Sequence, residues 1–282
     1  MPKRKWISIR LKQEIWHCRD WSYVFPFASA LGHTAQATLK ERAIHHNLCS
    51  MNSLPTKLED IGGTMRVRLK ADRTHVHSNL VSCIVFGQDR AVSIESQHGV
   101  VFGAAVLVDA NWDHVVNFHG GAVDVIYLES RLRESVTVSG AMPVSKSALR
   151  ILEDSGESWS LDTASALLDV LARPILSKDE GISEIQRRIV ADPMIRLNET
   201  EASRMARLER TTMLRRFKRQ TGMTFRAYKN WIALKHAARL VIGGEQIGSA
   251  GLDSGFADAA HFSRQFRSAF GLSPSEAKTC VI

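Results

Sequence analysis

Met213-Leu214-Arg215-Arg216-Phe217-Lys218, followed by Gly222-Met223-Thr224, recurs 49 residues later as Phe262-Ser263-Arg264-Gln265-Phe266-Arg267, followed by Gly271-Leu272-Ser273. Apart from Leu214/Ser263 and Arg216/Gln265, every paired position is identical or similar. A repeat of this length is one supersecondary unit used twice. In each copy two residues four apart, Met213 and Phe217 or Phe262 and Phe266, share a helix face. Roughly 160–200° around the same helices, at 3.6 residues per turn, lie Thr211, Arg215 and Lys218, and in the second copy Ala260, Arg264 and Arg267. Each helix therefore sets an exposed basic stripe behind a buried one. Gly222 and Gly271 can close the helices in the left-handed region at little cost, and Asp258 is placed as an N-cap.

A short helix precedes each copy, at about Glu199–Ala206 and Ile247–Asp253. Helix, tight turn and a second helix with a basic face is the helix-turn-helix plan, whose second helix enters the major groove of DNA. Between the copies Thr224–Ile242 reads as one long helix with Tyr228, Trp231, Ile232, Leu234 and Ala238 inward. At 1.5 Å per residue it spans roughly 28 Å, close to one turn of a duplex.

Charge agrees with this placement. The net charge is +8; residues 181–282 hold 17 Lys and Arg against 9 Asp and Glu, and residues 1–180 hold 20 of each sign. All the excess positive charge lies in the C-terminal third, where it would concentrate a polyanion.

The rest of the chain divides by pattern. Residues 60–130 carry short β-prone runs, Val67–Leu69, Val81–Phe86, Ala91–Glu95, Val100–Val108 and Val123–Leu128, punctuated by Gly, Asp and Asn as in a small sandwich or barrel. Residues 131–181 turn helical, with Leu149, Leu152, Leu161, Leu167, Leu168 and Leu171 at helical spacing before Pro174. This segment could pair with its twin in a homodimer or pack on its own barrel. Ser177–Gly181 reads as a polar linker, and 182–282 as the DNA-binding domain. Residues 1–59 form an N-terminal extension, aromatic-rich and then helical over 34–48, for which no motif gives a role. The four cysteines lack CxxC spacing, and no run is long and apolar enough for a signal peptide or membrane span. A cytoplasmic protein with no membrane partner is expected.

Arg215-Arg216-Phe217-Lys218-Arg219-Gln220-Thr221-Gly222 and Gly255-Phe256-Ala257-Asp258-Ala259-Ala260-His261-Phe262-Ser263-Arg264-Gln265-Phe266-Arg267, with Phe270-Gly271-Leu272-Ser273-Pro274, resemble the signature of AraC/XylS-type transcriptional regulators over about residues 182–279. The resemblance implies an all-α domain of two helix-turn-helix units joined by a long helix. Carried over by position, base-edge contacts fall on Thr211, Leu214 and Arg215, then on Ala259, His261, Ser263 and Arg264. Lys218, Arg219 and Arg267 complete the expected DNA-binding set. The chain departs from the family pattern at Glu209, where a Ser N-cap is usual, at Arg207, where Gly is common in the turn, and at the glycine-containing Ile247-Gly248-Ser249-Ala250-Gly251-Leu252.

Residues 60–130 resemble the cupin-like effector domain that often precedes this module, so the expected class is α+β: a cupin-like β-barrel with flanking helices, then the all-α domain. His75, His77 and His114 fall near the histidine positions of a metal cupin, but the usual Glu is missing, positions 81 and 82 being Val and Ser. The three histidines are candidates for an effector pocket, with metal ligation and plain barrel residues as alternatives; no metal or cofactor is assigned. The expected function is a sequence-specific regulator, an activator by the resemblance, controlled by a small-molecule effector or by dimerisation, with promoter DNA and RNA polymerase as partners and no catalysis. The alternatives are a metal-binding cupin enzyme fused to a DNA-binding module, and an accessory regulator with weakened DNA binding.

Overall fold

β3 (Ser82–Gly87) shows why the chain builds a two-faced sheet: Cys83 and Val85 point one way, Ile84 and Phe86 the other, and all four are buried. Side chains alternate along a strand, so burial on both faces demands a layer on each side. The computed structural model describes residues 58–132, 140–172 and 178–282. The expected N-terminal extension, including its 34–48 helix, lies outside the described residues except for its last two positions.

The remaining strands are β1 (Leu58–Ile61), β2 (Thr64–Lys70), β4 (Val92–Ser96), β5 (Gly99–Gly103), β6 (Ala105–Val108), β7 (Val115–Asn117), β8 (Ala122–Leu128) and β9 (Ala141–Pro143). They form a six-stranded sheet, β1-β2-β8-β3-β6-β9, and a three-stranded one, β5-β4-β7, with antiparallel pairing throughout. The expected single run Val100–Val108 is two strands in different sheets, broken at Ala104. β9 adds residues 141–143 to the sheet, beyond the expected boundary at 130.

One face of the six-stranded sheet (Met65, Val67, Cys83, Val85, Val106, Val125 and Tyr127) shares a core with Val92, Ile94 and Val116 of the smaller sheet and with Phe118 just after it. The other face, Ile84, Phe86, Leu107, Ile126 and Leu128, lies under α1 (Lys146–Ser155) and α2 (Leu161–Leu171). Leu152 and Leu167, two of the helical leucines, are fully buried there against the chain's own sheet.

The C-terminal helices are α3 (Glu180–Ala191), α4 (Glu199–Met205), α5 (Arg210–Thr221), α6 (Phe225–Ile242), α7 (Ile247–Leu252), α8 (Ala259–Phe270) and α9 (Pro274–Cys280). Of the expected linker at 177–181, residue 177 lies outside the described residues and Glu180 and Gly181 open α3. Asp179 caps it, accepting the Ile182 amide at 3.2 Å, and is held by Arg216 of α5 at 2.8 Å. Pro55–Ile282 forms one unit, and the aromatic core joins sheet to helices: Tyr127 meets Trp231 and Phe270, each at 5.5 Å between ring centroids.

Candidate nucleic-acid interface

The first helix-turn-helix pairs α4 with α5. Asn198 and Glu201 form a capping box at the start of α4, which fixes where the chain enters it. Arg207 takes the turn with φ 51°, a conformation glycine adopts more readily. Met213 and Phe217 are fully buried, and Phe217 packs edge-on against Phe225 and Tyr228. With that side fixed, Thr211, Arg215, Lys218 and Arg219 project into solvent. Leu214 is half-buried and packs against the core.

Glu209 is the N-cap of α5. Its Oε2 accepts the amides of Thr211 (2.8 Å) and Thr212 (3.1 Å), and also the Thr211 hydroxyl. That hydroxyl first, then the amides, holds the exposed carboxyl below its ordinary range. An acid therefore performs the capping expected of serine, and Gly222 closes the helix with φ 81°.

The second unit pairs α7 with α8. Asp258 caps α8 by accepting the His261 amide at 2.7 Å, and Gly271 closes it with φ 72°. Phe262 and Phe266 are buried; Ala259, Arg264 and Arg267 are exposed, and His261 and Ser263 half-exposed. His261 Nδ1 is buried without a hydrogen-bond partner, and its ring lies 5.7 Å from that of Phe256. Gly251 is a packing requirement: a Cβ there would lie 2.9 Å from the Phe262 side chain, so glycine is what lets α7 approach α8. α6, 18 residues long, links the units over roughly 27 Å.

The sheet domain grips both candidate recognition helices at their C-terminal ends. The Gly271 carbonyl accepts the His75 amide (2.8 Å), Ser268 accepts from Ser78 (2.9 Å), and the Ala269 carbonyl accepts from Asn79 Nδ2 (2.7 Å). At α5 the Arg131 side chain lies over Gly222 and donates to the Arg219 carbonyl (3.4 Å). α6 is anchored by an acidic pair from the sheet domain: Glu129, just after β8, accepts from Trp231 Nε1 (2.8 Å) and Lys235 (2.5 Å), and Asp60 of β1 pairs with Lys235 (3.0 Å) and Arg239. Sequence reasoning did not find this anchor, because its members lie more than a hundred residues apart. Among the described residues, the sheet domain makes no hydrogen bond to the N-terminal ends of α5 and α8.

The three N-terminal histidines do not converge. His77 and His114 lie with ring centroids 4.2 Å apart, tilted by 49°, and exchange backbone hydrogen bonds, whereas His75 turns outward to Glu276 of α9 at 3.3 Å. Among the described residues no three metal-ligating side chains cluster. His77 and His114 border a void of about 10 Å³ with Cys83, Tyr127 and Phe270, room for about one water. Burial, then the neighbouring His114, pushes His77 down to about 3, and burial lowers His114 as well. Of the three histidines expected to line an effector pocket, His77 and His114 thus form a buried pair at the seat of α8, and His75 lies apart from them. A larger crevice of about 440 Å³ lies elsewhere, between Asp109, Asn111, Glu129 and Arg131 and the Lys218–Thr224 turn.

Residues 202–279 match the family model described as a helix-turn-helix domain. No curated protein matches the chain. Among solved structures, a substituted apo form of ToxT from Vibrio cholerae is similar, with TM-score 0.53 and 14% identity over 79% of this chain and 100% of that one. Wild-type ToxT with an unsaturated fatty acid bound gives TM-score 0.52 and 14% identity over 82% of this chain and 98% of that one. At that identity the likeness is one of fold: a β-sheet domain followed by a helical one. Among the described residues no helix is long and apolar enough to cross a membrane.

Proposed function

We propose, from the AraC-type helix-turn-helix domain at residues 202–279, that the chain is a sequence-specific DNA-binding transcriptional regulator controlled through its sheet domain. One observation carries the reading: two helices of the same repeat, α5 and α8, present exposed arginines (Arg215, Arg264) and further cations (Lys218, Arg219, Arg267) opposite fully buried apolar stripes. A merely structural bundle has no need for the same basic face twice. Arginine offers parallel donors matching O6 and N7 of guanine, so Arg215 and Arg264 are assigned to base edges, with Thr211, Leu214, Ala259, His261 and Ser263 around them. Lys218, Arg219 and Arg267 lie toward the helix ends and are assigned to phosphates. Selection of bound sites from random duplexes with the purified chain tests this; enrichment of two elements about one helical turn apart is expected.

Control by a small-molecule effector is part of the proposal. The crevice between the strands and the α5–α6 turn supports it, as does the fatty acid bound by ToxT, a chain of the same fold. A molecule seated there would touch Arg131 and Lys218, hence the C-terminal end of α5. Activation, contact with RNA polymerase, a cytoplasmic location and a homodimer belong to the same reading. The homodimer draws only on leucines other than Leu152 and Leu167, which are taken up by the chain's own sheet. No catalytic role is assigned to any residue.

A further inference from the structure

The 49-residue repeat extends one step further than the arginines: Glu209 and Asp258, both N-caps, occupy the same register, so each candidate recognition helix opens on an acid. A carboxylate beside polyphosphate raises the cost of binding, and serine or asparagine would cap as well without it. At Glu209, where the family pattern has serine, the acid invites a reason beyond capping.

Glu209 has the geometry for one. A single oxygen, Oε2, takes all three of its hydrogen bonds, from the Thr211 and Thr212 amides and the Thr211 hydroxyl. Oε1 has no hydrogen-bond partner among the described residues, and the side chain is exposed. The neighbouring Arg210 pairs with Glu199 at 2.8 Å and acts on Glu209 through its charge, without a hydrogen bond to Oε1 among the described residues. At about 100° per residue, Thr211 and Thr212 lie roughly 40° and 60° to either side of Arg215. The carboxylate held over their amides therefore sits at the tip of the helix, on the side that Arg215 faces. In a helix-turn-helix the N-terminal residues of the second helix reach base edges.

We infer that Glu209 is a specificity-determining residue of the first unit, whose free Oε1 accepts a hydrogen bond from the N4 amino group of cytosine. This rests on the DNA-binding reading above and names the base that its first unit selects. Cytosine shows the major groove a lone amino donor; adenine shows the same donor beside its N7 acceptor, which repels a carboxylate, and guanine and thymine show acceptors. Thr211 joins the same selection. Its proton goes to Glu209, so its remaining lone pairs also favour an amino group. At the second unit Ala260 stands at the Thr211 position and offers no hydroxyl, so the pairing of acid and threonine belongs to the first unit.

The test is binding-site selection with the full-length chain, wild type, Glu209→Ser and Glu209→Gln, followed by competition between duplexes differing at one base pair. Serine caps as well as an acid does, so Glu209→Ser keeps the fold; an unchanged thermal midpoint checks this. The wild type should prefer cytosine about 10-fold at a position next to the guanine read by Arg215, within the range of one well-made base-edge contact. Both variants should reduce that preference below about 2-fold while keeping the guanine preference. Identical preferences in wild type and variants would overturn the inference and leave DNA reading intact. So would a uniform gain in affinity for every sequence, which marks Glu209 as a repulsive charge only. A wild-type chain that enriches no sequence overturns this inference and the DNA-binding reading together.

Discussion

The carbonyl of Gly271, the C-cap of α8, accepts a hydrogen bond from the backbone amide of His75 at 2.8 Å. The residue that ends this candidate recognition helix is thereby bonded to the sheet domain. The fit is close as well as bonded: a Cβ on Gly271 would lie 2.5 Å from His77 Nδ1 and 2.7 Å from Thr74 Cβ. Movement of the 74–78 segment must therefore move the end of α8, which is what control through the sheet domain requires.

Gly271→Ala should destabilise the chain. Its φ of 72° already disfavours a side chain, and the clash adds to that strain. A loss of about 1–3 kcal/mol is expected, read as a lower urea midpoint. An unchanged midpoint would show that α8 is not seated on His77 as described.

Stability should fall on acidification well above the carboxylate range. His77 is depressed from 6.5 to about 3, so between those values the unfolded chain binds a proton that the folded chain does not. Stability therefore falls as pH drops through this window, by up to about 1.4 kcal/mol per unit from this group. His114, also lowered, acts in the same direction. Glu276 is pulled down from 4.5 to about 2, first by the Ser273 amide and then by its hydroxyl, and loses its contribution only at lower pH. Urea unfolding at pH 7.5 and 5.0 isolates the histidines; equal stability at both would contradict the buried neutral pair.

Glu129→Ala should cost more than most surface changes. It leaves the Trp231 indole N–H without its acceptor, and leaves buried Lys235 with Asp60 alone. A loss of about 2–4 kcal/mol is expected, and Glu129→Gln, which keeps an acceptor for Trp231, should lose less. Equal and small losses in the two variants would mean that α6 is not anchored through this acid.

How much of this was legible in the sequence depended on range. The helical units were, because Met213/Phe217 and Phe262/Phe266 set the period and Gly222 and Gly271 mark the ends within the same twelve residues. The split at Ala104 was not, since a continuous apolar run carries no sign that its halves join different sheets. β1, β7 and β9, each three or four residues, are too short to show a period. The histidines were singled out as candidates for an effector pocket, without sight of what surrounds them. Their neighbours, Gly271 and Glu276, lie some two hundred residues away, and no local pattern joins them. Glu209 was legible as an odd residue; its capping bonds could have been read from the Asp258 register of the repeat.

Lys218→Ala and Arg267→Ala should each weaken binding to all duplexes alike. Both side chains are exposed at the far end of their helices, where charge acts without base geometry. Each should shallow the log–log dependence of affinity on salt by about one unit. A change of base preference without a change of slope would reassign them to the reading face.

The most direct measurement is site selection with the full-length chain set beside the same selection with Arg215→Ala and Arg264→Ala. If α5 and α8 are paired recognition helices, wild type enriches two elements about one helical turn apart. Each variant then loses preference, by about 1–3 kcal/mol, at one or two base pairs of a different element. Failure of the wild type to enrich any sequence at low salt, or equal losses on selected and random DNA for both variants, would contradict the assignment of these helices as the DNA-reading surface.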